Sequence, residues 1–103
     1  MTIDRIKATG IELTDAIKDA VEKDLAALAP MTARFGEATS VDVEVGKTTN
    51  HHHKGDIFRA EMNLHIPGKT IRVEETAEDL YAAIKEAVRT LGREVVKEKE
   101  RHD

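Results

Sequence analysis

Between Phe58 and Ile66 apolar and polar residues alternate without a break. Phe58, Ala60, Met62, Leu64 and Ile66 fall on one side, and Arg59, Glu61, Asn63 and His65 on the other. A period of two belongs to a strand with one face in a core and the other in water. A helix would scatter the same residues around its circumference. A strand apolar on one face needs a second layer to cover that face. The alternation predicts a strand over 56–66, and a shorter copy of it, Val41, Val43 and Val45 around Asp42 and Glu44, predicts another. Ile3, Ile6 and Ala8 mark a first strand over 2–9 that ends at Gly10. Pro67-Gly68 is a turn dipeptide, because Pro presets φ and Gly accepts positive φ. Ile71 and Val73 then continue as a fourth strand.

The covering layer is written with the helical period. Ile17, Val21, Leu25 and Leu28 predict a helix over about 14–29, with Thr14 as N-cap, Asp15 in the first turn and Pro30 as its limit. Leu80, Ile84, Val88, Leu91 and Val95 form one apolar stripe on a final helix. Thr76 is read as its start, with Asp79 completing a variant capping box. The tail from about 98 is expected to be loose. The order β-α-β-β-β-α predicts an α+β two-layer sandwich. Two helices pack on one face of a four-stranded sheet, and its other face is polar and wet.

A chain of 103 residues suffices for one such domain over 1–103. It has no cysteine, so disulfides, thiolate metal sites and cysteine nucleophiles are excluded. No apolar run approaches the ~20 residues that span a bilayer. Met1 to Arg5 does not resemble a secretory signal. These features predict a soluble cytoplasmic protein without a membrane partner. The formal net charge is −4, which argues against a simple nucleic-acid binder unless the cations are gathered on one surface. Aromatic residues are 3% of the chain, so binding of single strands by stacking on aromatics is disfavoured.

The cations are gathered. With Ile84 at zero, Lys85, Arg89, Arg93 and Lys97 fall at about 100°, 140°, 180° and 220° on the helical wheel. They form a slowly winding ridge on the side away from the apolar stripe. The pattern fits a row that meets successive phosphates; it also fits an ordinary solvated face, since Glu86 and Glu100 lie on the same side. The loop 46–55 contains His51, His52, His53 and Lys54. Consecutive side chains diverge, so a metal site there is disfavoured against a polar hairpin tip that either touches RNA or is unconstrained. Chemistry is poorly supplied. There is no G-x-S-x-G, no H-E-x-x-H and no glycine-rich phosphate loop, and the glycines are isolated at turns and ends. Glu74, Glu75, Glu78 and Asp79 complement a helix dipole. Tyr81 flanks the apolar stripe as a core-edge residue with its hydroxyl free for a partner. Neither a cofactor, a small-molecule substrate nor an enzymatic activity is expected.

Three segments carry a family likeness: Ala8-Thr9-Gly10-Ile11-Glu12-Leu13-Thr14-Asp15-Ala16-Ile17, His53-Lys54-Gly55-Asp56-Ile57-Phe58-Arg59-Ala60-Glu61, and Glu78-Asp79-Leu80-Tyr81-Ala82-Ala83-Ile84 with the basic helix behind it. Together they resemble the hibernation-promoting factor and ribosome-associated inhibitor family over essentially the whole chain. The resemblance implies a fold like the double-stranded RNA-binding domain with an added first strand. It implies binding to rRNA at the neck of the small ribosomal subunit, across the mRNA and tRNA channel. Translation would thereby be silenced in stressed or stationary cells, with other ribosome-associated factors as further partners. It points to Arg93 and Lys97 as rRNA contacts, joined by Lys85 and Arg89, and by Lys54, Lys18, Lys23 and Tyr81. Thr90 stands where the family carries a lysine, and Asp24 and Ala27 stand where it is often basic. Asp24 lies about 20° from Ile17 on the wheel, inside the apolar stripe. The end of the chain soon after the basic helix is read as the short type. The alternative is a protein-interaction module of the sigma-factor-modulating kind, working through the polar sheet face or a strand edge.

Overall fold

The computed structural model describes residues 1–48 and 57–102. Strand β1 (Thr2–Thr9) is followed by helix α1 (Asp15–Ala26), the one-turn helix α2 (Ala29–Thr32) and a 3-10 turn (Ala33–Phe35). Strands β2 (Ser40–Lys47), β3 (Phe58–Ile66) and β4 (Lys69–Ala77) come next, and the long helix α3 (Leu80–His102) closes the order. The sheet order is β1-β2-β3-β4. β1 runs parallel to β2, and the other pairs are antiparallel. The sheet is therefore mixed, as a helix-bearing crossover between β1 and β2 requires.

The alternation of β3 is realised as expected. Ala60, Met62, Leu64 and Ile66 are buried with Val41, Val43, Val45, Ile71 and Val73. β1 reaches the same result by another route. Its apolar residues Ile3 and Ile6 are three apart, which would put them on opposite faces of a regular strand. Asp4 is left unpaired where Ile3 faces Val41 and Arg5 faces Asp42. The extra residue is a β-bulge that resets the phase, so Ile3, Ile6 and Ala8 all pack against the core. At the far end of β1, Gly46 pairs with Thr9. A Cβ at Gly46 would collide with the Thr9 carbonyl oxygen, so the close pairing requires glycine there.

The helices cover one face. α3 lies along β3 and β4, and α1 packs beside α3. Ile17, Val21 and Leu25 of α1 meet Leu80, Ile84, Leu91 and Val95 of α3 in one core. Thr14 caps α1 by accepting from the Ile17 amide at 3.2 Å. α1 stops at Ala26, short of the expected 29, and Pro30 begins α2. The proline ring fits a first turn, where its missing N–H costs nothing. Thr76 does not start α3; it extends β4, paired with Arg59. Asp79 is the cap, its carboxylate accepting from the Ala82 amide at 3.0 Å. The tail is helical through His102, and Glu98 within it is buried. Gly92 sits in mid-helix, against the expectation that glycines mark turns and ends.

Candidate nucleic-acid interface

The outer side of α3 carries the row expected from the wheel. Lys85, Arg89, Arg93 and Lys97 are all exposed. Tyr81, four residues ahead of Lys85, heads the same row; it is 41% exposed and stands outward rather than at the core edge. From Tyr81 to Lys97 the row spans about 24 Å at the helical rise. The positions are set from beneath: Ile84, Val88, Leu91 and Val95 anchor the opposite side of α3, so the cations are turned away from the core.

The cations are not bare. Arg89 pairs with Glu86 at 2.5 Å and Lys97 with Glu94 at 3.5 Å, each one helical turn away. Arg93 donates to the Thr90 hydroxyl at 3.0 Å, and that hydroxyl donates to Glu75 of β4 at 2.6 Å. Lys85 reaches Asp24 of α1 at 3.2 Å. This pairing accounts for Asp24 in the apolar stripe of α1: the stripe faces α3, and the carboxylate meets its lysine across the helix pair. The Lys85, Arg89 and Lys97 side chains remain about 60% exposed, at 63%, 63% and 60%. The Arg89–Glu86 and Lys97–Glu94 pairs are exposed on both sides; pairs of this kind contribute about 0–1 kcal/mol, so a phosphate can replace either carboxylate at small cost.

On α1, Lys23 is brought to the cleft between α1 and α3, with Asp24, Ala27, Leu28, Lys85, Val88, Arg89 and Gly92. Lys18 is exposed on α1 but lies about 140° around the helix from Lys23, outside that cleft. Lys54, with His51 to His53, lies outside the described residues.

The open sheet face is polar in a different way. Arg59 donates to Glu74 at 2.6 Å and to Glu61 at 2.6 Å, and stands 3.9 Å from Glu44. The hydrogen bonds to Glu74 and then Glu61 push its guanidinium pKa further up, against the desolvation of partial burial. The Thr9 hydroxyl donates to Glu44 at 2.7 Å and, with nearby Lys7, Arg59 and Arg5, holds that carboxyl below its ordinary range. Arg72 joins Glu61, and His65 bridges Asp42 and Thr70. Arg5, Lys7, Arg59 and Arg72 are thus balanced by Asp42, Glu44, Glu61 and Glu74. This network lies outside the cation row singled out by charge pattern. Its signal in sequence was the polar half of the β3 alternation.

A mixed sheet with helices on one face, the longest of them bearing an exposed cation row, defines a small α+β protein with a cationic helical surface. The chain belongs to the family described as Sigma 54 modulation protein / S30EA ribosomal protein, whose model matches residues 5–103. The ribosome hibernation promotion factor of Deinococcus radiodurans is 32% identical over 102 residues, 99% of this chain and 51% of that protein. That of a Picosynechococcus species is 32% identical over 97 residues, 94% of this chain and 49% of that protein. The chain thus spans about half the length of these curated relatives. The crystal structure of the Thermus thermophilus Protein Y N-terminal domain is 38% identical, with a TM-score of 0.73 over 92% of this chain and 96% of that one. A ribosomal subunit interface protein from Coxiella burnetii shares the fold, with a TM-score of 0.78 at 19% identity over 97% and 99% of the two chains. The two curated relatives are named for hibernation and the Coxiella protein for the subunit interface, and none of the four is named for catalysis. Among the described residues no helix is long and apolar enough to cross a membrane.

Proposed function

We propose that this chain is a ribosome hibernation factor that lays the outer side of α3 on small-subunit rRNA, within the channel that mRNA and tRNA use. The observation that carries the reading is the row Tyr81, Lys85, Arg89, Arg93 and Lys97, exposed along one side of a helix whose other side is locked into the core. The names of the two curated relatives supply its biological setting. Recognition is by shape and backbone charge, as for other binders of RNA helices. The domain acts by occupancy: it excludes mRNA and tRNA while bound and leaves no chemical mark.

The test is sedimentation with small subunits in the presence and absence of mRNA and initiator tRNA. The chain is expected to sediment with empty subunits and to be displaced when the channel is filled. Sedimentation unaffected by a filled channel would place it elsewhere on the ribosome.

A second reading draws on the charge-balanced sheet face, which none of the described helices covers. Balanced charge suits a protein surface better than a phosphate backbone. Recovery of one defined protein after nuclease treatment, lost in Arg72→Glu but kept in Arg93→Glu, is the result that favours it.

A further inference from the structure

We propose that the groove between α1 and α3 binds one unpaired nucleotide of rRNA, with guanine the base it fits best. The proposal rests on the rRNA-binding reading and adds to it a base-specific subsite. The groove has a volume of about 440 Å³, within the range of small-ligand sites. Its floor is apolar, made by Leu28 and Val88. Its rim is cationic, with Lys23 on one helix and Lys85 and Arg89 on the other. One carboxylate, Asp24, stands in the wall with its side chain only 14% exposed.

These three kinds of surface match the three parts of a nucleotide. An apolar floor takes the face of a base, and a cationic rim takes its phosphate. A largely buried carboxylate takes N–H donors. Guanine is the RNA base whose Watson–Crick edge presents two adjacent donors, N1–H and the exocyclic N2–H, which a carboxylate accepts together. Lys85 occupies part of only one Asp24 oxygen, Oδ1; a carboxylate has about four acceptor positions, so capacity remains for the base. Adenine, cytosine and uracil each place an acceptor beside their donor there, which the carboxylate repels. The base must be unpaired, because a duplex keeps this edge engaged.

Gly92 supports a demand for space. Glycine in mid-helix costs about 1 kcal/mol relative to alanine. A Cβ there would sit 3.3 Å from Cδ2 of Leu28, in the groove itself. The missing side chain seats Leu28 and leaves the floor open.

The experiment is a nuclear magnetic resonance titration of the full chain with 5′-GMP, 5′-UMP and ribose 5-phosphate, followed by subunit binding. GMP is expected to shift the amides of Leu28, Val88 and Gly92 and to bind about tenfold tighter than UMP, the low end of what one bidentate base contact is worth. Asp24→Asn should erase the difference between GMP and UMP. Gly92→Leu should abolish binding; Gly92→Ala, with its fold verified by a cooperative thermal melt, should weaken GMP binding. Equal affinity for the three ligands, or no shift with any of them, overturns the site whether or not the chain sediments with subunits. On subunits, Gly92→Ala should lower affinity. Unchanged subunit affinity in that variant overturns rRNA as the source of the base. GMP selectivity in a chain that never sediments with subunits overturns the source and the underlying reading together.

Discussion

Arg59 and Arg89 show how differently one residue type behaves in two settings. Arg59 is held by Glu74 and Glu61 over the open sheet face, and Glu61 is only 9% exposed. Removing the guanidinium leaves Glu61 facing Glu44 and Glu74 across neighbouring strands with its main counterion gone. Arg59→Ala is expected to cost about 2 kcal/mol, in line with a charged hydrogen-bonded partner lost beside a buried acid, read as a fall in the urea midpoint. Arg89 rests on Glu86 alone among the contacts described, in the open. Glu86→Gln should change stability by less than about 0.5 kcal/mol, yet raise affinity for small subunits at low salt, since a competing carboxylate is gone. An unchanged or weaker affinity in a binding titration would mean that Arg89 does not face RNA.

Among the elements, α3 is defined at both ends by single carboxylates. Asp79 caps its start; Asp79→Ala should cost about 1 kcal/mol, seen as a lower thermal midpoint with unchanged helix content in the folded state. Near the other end Glu98 receives Lys69 at 2.8 Å and Arg101 at 3.0 Å, tying the helix to the β3–β4 turn. The hydrogen bond from Lys69, with the charges of Lys69 and Arg101, holds the Glu98 carboxyl below its ordinary range. A carboxyl lowered in the folded state stabilises the fold above its unfolded pKa and loses that effect as pH falls toward the folded value. Urea midpoints at pH 7 and pH 3 should therefore show Glu98→Gln clearly destabilised at the higher pH and close to the parent at the lower. An equal gap at both would remove the ion pairs from the account.

The same elements show what local pattern reveals. The β3 alternation and the α3 stripe are visible because each is a long periodic run with one answer. The end of β4 is not, because Thr76 and Ala77 are held as strand by pairing with Arg59 and Phe58, far away in sequence. Local capping chemistry offers Thr76 as a helix start, and long-range hydrogen bonding overrides it. The bulge at Asp4 is likewise a product of the β1–β2 register, and Pro30 at the start of α2 depends on where α1 stops. For the interface, spacing reveals the cation row and its direction. The Asp24–Lys85 pair and the Arg93–Thr90–Glu75 chain join separate elements, and no spacing rule reaches across them.

For the molecule as a whole, charge is partitioned by surface. The sheet face sets Arg5, Lys7, Arg59 and Arg72 among Asp42, Glu44, Glu61 and Glu74, with Arg59 and Arg72 in direct ion pairs. The outer side of α3 keeps its cations in weak, exposed pairs that phosphate can displace. A net charge of −4 is thus compatible with RNA binding, because binding depends on which surface meets the backbone. The body measures 45 × 25 × 20 Å, with the row on one long helix.

The slope of log affinity against log salt for small subunits measures how many phosphates that helix engages. Each phosphate contact contributes about 0.7–0.9 to the slope. The double variant Arg93→Glu/Lys97→Glu should bind far more weakly and with a slope shallower by about 1.4–1.8. A double variant with the parent's affinity and slope would contradict the account, for then the outward side of α3 does not touch RNA.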